Sequence, residues 1–66
     1  MKNTIKVERA KLDFTQQDLA DKIGVSRQTI NSIEAGRYVP STTLSLKISK
    51  IFNTTVNDIF KLEEND

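Results

Sequence analysis

Residues 16–35 read QQDLADKIGVSRQTINSIEA, and the way this run packs decides the rest of the chain. Leu19 and Ile23 are spaced i, i+4, so they share one helical face. Ile30 and Ile33, spaced i, i+3, do the same in a second segment. Between them lies the turn Gly24-Val25-Ser26. Two short helices with small apolar faces bury those faces only if the turn folds one across the other. Ala20 is small enough for a close crossing, and Gly24 takes φ > 0 at little steric cost, which ends the first helix. Two helices at a steep angle about a short, Gly-containing turn form a helix-turn-helix.

Both helix starts are marked. Thr15 caps the first, with Asp18 three residues on as the acid of a short capping box. Ser26 caps the second. Phe14 with Leu19, and Val25 with Ile30, occupy the positions of hydrophobic staples across the two caps. What faces outward on the second helix is Arg27, Gln28, Asn31 and the edge residue Thr29. A guanidinium bonds guanine bidentately, and an amide does the same for adenine. A helix N-terminus also offers unpaired N–H groups and a positive dipole end to phosphate. A solvated polar face has the same composition; the helix-turn-helix frame favours base and phosphate contact.

Outward from this run the chain is simple. Residues 3–12 form a helix capped by Asn3, with Ile5, Arg9 and Leu12 roughly on one face and Ala10 beside them; Met1–Thr4 as an extended segment is the alternative. Asp13 suits the left-handed conformation that ends a helix. Arg9 and Glu34 either meet as a partly buried ion pair or are unrelated surface charges, and periodicity favours the second. Gly36 closes the helix that begins at Arg27. Arg37-Tyr38-Val39-Pro40 is a loop, since Pro40 disfavours helix at Val39. Tyr38 either packs over the edge of the core or reaches DNA. Ser41 or Thr42 caps a fourth helix to about Phe52, striped by Leu44, Ile48, Ile51 and Phe52, with Leu46 off the stripe. Thr55 and Asp58 cap a fifth, carrying Val56, Ile59 and Phe60; the alternation of Phe60 and Leu62 also fits a short strand. Glu63, Glu64 and Asp66 form a solvated, frayed tail.

Composition bounds the function. A chain of 66 residues, 36% hydrophobic, makes one small core and one domain, spanning 1–66, and a dimer would reinforce it. It has no cysteine and no histidine, which removes the thiol nucleophile, the commonest general base and the commonest metal ligand. An enzyme is therefore the least expected reading, with no catalytic residue, metal or cofactor implied. No apolar run approaches the ~20 residues of a membrane span, and the N-terminus lacks a signal peptide's apolar core, so a cytoplasmic protein is expected. Residues 1–37 carry seven basic side chains against five acidic, a local excess of +2 on the half that holds the helix-turn-helix. So small an excess implies modest non-specific affinity for DNA.

The run from Thr15 to Ser41 fits T-Q-x-x-L-A-x-x-I-G-V-S-R-Q-T-I-x-x-I-E-x-G-x-Y-x-P-S. It resembles the Cro-like, xenobiotic-response-element (XRE) class of bacterial and phage repressors, over about residues 4–61. The full-length resemblance is to small stand-alone dimeric members, the cytolysin repressor among them. It implies an all-α, five-helix lambda-repressor-like domain, with a short terminal β-hairpin, the N- and C-terminal segments pairing as short strands, as a further option that would explain the alternation of Phe60 and Leu62. It implies that Gln16 bonds phosphate and braces the recognition helix. Ser26, Arg27, Gln28 and Asn31 match base- and phosphate-facing positions, and Arg37 a basic loop position. Thr29 and Tyr38 complete the expected DNA-binding set. Arg9 and Glu34 match a structural ion pair, against the reading from periodicity. Val56, Ile59, Phe60 and Leu62 match the region of the dimer interface. Glu8 and Thr42 stand where the class often has apolar side chains, which weakens the core and leaves the DNA face untouched.

The function expected is a sequence-specific regulator, a repressor that binds an inverted-repeat operator in double-stranded DNA as a homodimer, with no small-molecule effector. The alternative is an antitoxin or protein-interaction adaptor that uses exposed Leu46, Phe60 and Leu62.

Overall fold

Hydroxyl side chains start four of the helices in the computed structural model, which describes residues 1–66. Thr15, Ser26, Ser41 and Thr55 each accept a hydrogen bond from the backbone N–H three residues on, at 2.9, 3.1, 3.1 and 3.2 Å. Each bond satisfies one of the donors that a helix start leaves unpaired. The helices they open are α2 (Gln16–Ile23), α3 (Arg27–Glu34), α4 (Thr42–Ile51) and α5 (Val56–Ile59). At Thr15 the box is complete, because Asp18 also accepts from the Thr15 N–H at 2.9 Å. Chain reversals follow the helix ends, with Asp13, Gly24, Gly36 and Asn53 at φ of 58°, 78°, 77° and 53°.

The first helix, α1 (Ile5–Lys11), is shorter than the expected 3–12. Asn3 is extended instead and belongs to β1 (Lys2–Asn3), which pairs antiparallel with β2 (Phe60–Lys61). The register sets Lys2 opposite Lys61 and Asn3 opposite Phe60. Thr4 N–H adds a bond to the Ile59 carbonyl at 2.9 Å. Phe60 is thus a strand residue and not the last turn of α5. The strands come from opposite ends of the chain, the pairing of terminal segments that the resemblance implied, and they form a clasp. Asn3 still serves α1 from outside the helix, its Oδ1 accepting the Ile5 N–H at 3.2 Å.

One cluster of buried side chains joins the elements. Leu19, Ala20 and Ile23 of α2 meet Ile30 and Ile33 of α3, and Ile5, Leu44, Ile48, Phe52, Ile59 and Phe60 close around them. The staple residues Phe14 and Val25 pack against this cluster, as do Ile51 and Val56. Leu12 and Ala10 do not join it: Leu12 is 46% exposed and Ala10 is exposed. Leu12 falls at the cap position where the register of α1 ends, so only Ile5 represents that helix in the core. Leu46 is exposed, off the α4 stripe. Part of the acidic tail turns back: Glu63 and Asp66 pair with the Met1 amino group at 3.1 and 3.2 Å, because the clasp brings the two chain ends together.

Candidate nucleic-acid interface

The same packing that buries Ile30 and Ile33, at 0% and 1% exposure, turns the other side of α3 to solvent. Arg27, Gln28 and Asn31 are exposed there, and Thr29 is half-buried beside Ser26, the two hydroxyl oxygens 3.0 Å apart. No acidic residue lies in the first turn of α3, so nothing offsets the positive end of its dipole. The loop after α3 adds Arg37 and Tyr38, both exposed. Tyr38 shares an open cleft of about 380 Å³ with Ser26, Gln28, Thr29 and Ser32. It also borders a concavity with Val25 and Leu44, so it both covers the edge of the core and opens onto the face of α3.

Behind this face lies a polar network. Arg9 Nε donates to Glu34 Oε2 at 2.7 Å, and a second guanidinium nitrogen donates to Oε1 at 3.1 Å. A third bond from Arg9 reaches the Phe14 carbonyl at 2.8 Å. The side chains are 14% and 9% exposed, so the pair is largely desolvated. The hydrogen bond to Glu34 raises the Arg9 pKa, against the opposing effect of burial. Gln16, at the start of α2, donates from Nε2 to Asn31 Oδ1 at 3.3 Å and to Glu34 Oε1 at 3.4 Å. Gln16 therefore spans from the start of α2 to the exposed face of α3.

The residues read as a subunit interface are divided. Ile59 and Phe60 are 0% and 8% exposed within the single chain, Val56 is half-buried and Leu62 is 82% exposed. Burial of Phe60 also removes it from the exposed apolar set of the adaptor reading. One residue and one contact escaped the sequence reading. Ser32 borders the Tyr38 cleft, and its i+4 spacing from Gln28 was the available signal. Asn3 donates from Nδ2 to the Ile33 carbonyl at 2.9 Å, tying β1 to the C-terminal end of α3; no local pattern announces a contact across thirty residues.

The helix-turn-helix family HTH_3 matches residues 5–59. The chain belongs to this XRE-type family of DNA-binding transcriptional regulators. An uncharacterized HTH-type transcriptional regulator of Methanocaldococcus jannaschii is 52% identical over 66 residues, covering all of both chains. The HTH-type transcriptional regulator YgzD of Bacillus subtilis is 48% identical over 64 residues, covering 97% of each. Among solved structures, the SOS-response transcriptional repressor LexA of Eubacterium rectale superposes with a TM-score of 0.79 at 27% identity, over 94% of this chain and 66% of that one. This regulator thus has the five-helix lambda-repressor-like fold, with a small two-stranded sheet added where its ends meet. Its family binds DNA and performs no catalysis. No helix of the regulator is long and apolar enough to cross a membrane.

Proposed function

We propose that the protein is a repressor that binds an inverted-repeat operator as a homodimer, one α3 in each of two successive major grooves. The observation that carries this reading is the exposed row Arg27, Gln28 and Asn31 on the side of α3 opposite Ile30 and Ile33. These three side chains read base edges, with Thr29 at their margin. Gln16, through its backbone N–H at the start of α2, with Ser26, Arg37 and Tyr38, holds the register on the phosphate backbone. Arg9 and Glu34 brace α3 from behind. Repression draws support from the likeness to LexA, itself a transcriptional repressor. Dimerisation uses Leu62 with the exposed rim of Val56, carried on an element that Ile59 and Phe60 anchor in the core.

The test is selection of bound duplexes from a randomised pool at near-physiological salt. Enrichment of two inverted half-sites centred one helical turn apart, ~34 Å, is expected. A single half-site, or an arrangement without twofold symmetry, counts against the dimer. No enrichment by the folded protein counts against base reading by α3.

A further inference from the structure

The Asn31 amide stands at the end of a hydrogen-bond relay that begins away from the exposed face. Arg9 and Glu34 form a two-pronged pair at 2.7 and 3.1 Å. A guanidinium only donates and a carboxylate only accepts. Glu34 Oε1, 3.4 Å from the end of the Gln16 side chain, therefore faces the Gln16 nitrogen and not its oxygen. The same nitrogen lies 3.3 Å from Asn31, and an N–H requires an oxygen opposite it. Asn31 must turn Oδ1 inward to Gln16, which leaves the two Nδ2 hydrogens for the outward side. The charge on Glu34 thus decides the orientation of both amides, which are otherwise free to flip.

We infer that Arg9, Glu34 and Gln16 are positioning residues that fix the polarity of Asn31, so that this point of α3 offers DNA a donor and selects guanine over adenine. The inference rests on α3 being the base-reading helix and adds what one of its residues reads. An unconstrained asparagine suits adenine, donating to N7 while accepting from the N6 amino group. Asn31 has its oxygen engaged by Gln16 and keeps only the donating half of that pattern. Guanine presents two adjacent acceptors, N7 and O6, to a donating group. At adenine, the N6 amino group meets the Asn31 donor with another donor.

The experiment repeats the selection with the wild type and with Asn31→Ala, Glu34→Gln and Gln16→Ala. Asn31→Ala identifies the base pair concerned, as the position whose preference collapses. There the wild type is expected to favour guanine over adenine by about tenfold, within the range of a good base contact. Glu34→Gln and Gln16→Ala are expected to cut that ratio to about threefold or less while other positions keep their preferences. Glu34→Gln leaves the Arg9 charge without its partner. Should that variant fail to fold, Gln16→Ala, which leaves the ion pair intact, decides. A wild-type preference for adenine, or a ratio unchanged by Gln16→Ala, overturns the inference and leaves base reading by α3 standing. If Asn31→Ala alters no position, base reading by Asn31 fails and the inference fails with it.

Discussion

Gln28 and Arg37 sit a few residues apart, yet they are expected to fail in different ways. Gln28 lies on the exposed row of α3, the row proposed to read base edges. Gln28→Ala should relax preference at one position of the operator and cost ~1–3 kcal/mol there. Arg37 stands exposed in the loop beyond α3, the position proposed for phosphate contact. Arg37→Ala should weaken every duplex alike and lower the slope of affinity against salt by about one. Quantitative binding at several salt concentrations separates the two; a loss at Arg37 confined to one sequence would remove its phosphate role. At the same scale, hydrogen bonds with Thr15, the backbone N–H first, hold the Asp18 carboxyl below its usual value of 3.8. A depressed pKa in the fold means that the capping box stabilises α2 above that value and loses its effect as pH falls through the folded one. Asp18→Asn should therefore melt below the wild type at neutral pH, with the gap narrowing only under pH 3.8. A gap that stays constant in acid would show that the charge is not what stabilises.

The elements owe their limits to a few side chains, and single changes there should have graded effects. Ser26→Ala removes the oxygen that accepts the Thr29 N–H and should cost ~1 kcal/mol. Gly24→Ala meets no steric obstacle, since nothing lies within 4 Å of the added carbon, but it forces alanine to φ 78°. That costs ~1–2 kcal/mol from the backbone alone. Thermal denaturation ranks the two, and a neutral Gly24→Ala would mean that the turn can relax. Most of this was legible in sequence, because caps, staples and the i, i+3 and i, i+4 spacings are local. The α2–α3 unit emerges with its turn at residues 24–26, and Asp13 takes the conformation expected of it. The start of α1 stayed open between a helix from residue 3 and an extended terminal segment, and the structure takes the second. Asn3 has the composition of a cap, and only its pairing with Phe60 draws it into a strand. The Arg9–Glu34 pair was legible only through the resemblance: periodicity on two separate helices does not say that they cross. Gln16 joins Asn31 and Glu34 because of that crossing, so the orientation of the Asn31 amide became visible only in three dimensions.

For the whole molecule the constraint is size. The longest dimension is 31 Å and there is one α3, which under the proposed function limits each subunit to one half-site. Leu62 is the most exposed large apolar side chain, at 82%, and it continues directly from β2. Leu62→Asp should shift a dimer toward monomer in sedimentation and reduce operator affinity, while helical content is preserved. An unchanged sedimentation coefficient would place the subunit contact elsewhere, with exposed Leu46 on α4 the next side chain to test.

The clasp between β1 and β2 also has a kinetic consequence. It joins residues from the two ends of the chain, with Lys2 opposite Lys61, whereas α2 and α3 meet across a short turn. Closing the long loop costs more chain entropy, so local contacts are expected to form before it in the folding transition state. Interactions absent from that state influence escape from the native structure and not arrival at it. Asn3→Ala, which removes the bonds to Ile33 and Ile5, should accelerate unfolding and leave the refolding rate nearly unchanged in a denaturant-jump experiment. Slower refolding would instead put the clasp in the nucleus. With the expected result, the chain ends are fastened last and released first, and the lifetime of the helix-turn-helix is governed by a pairing of residues that lie outside it in sequence.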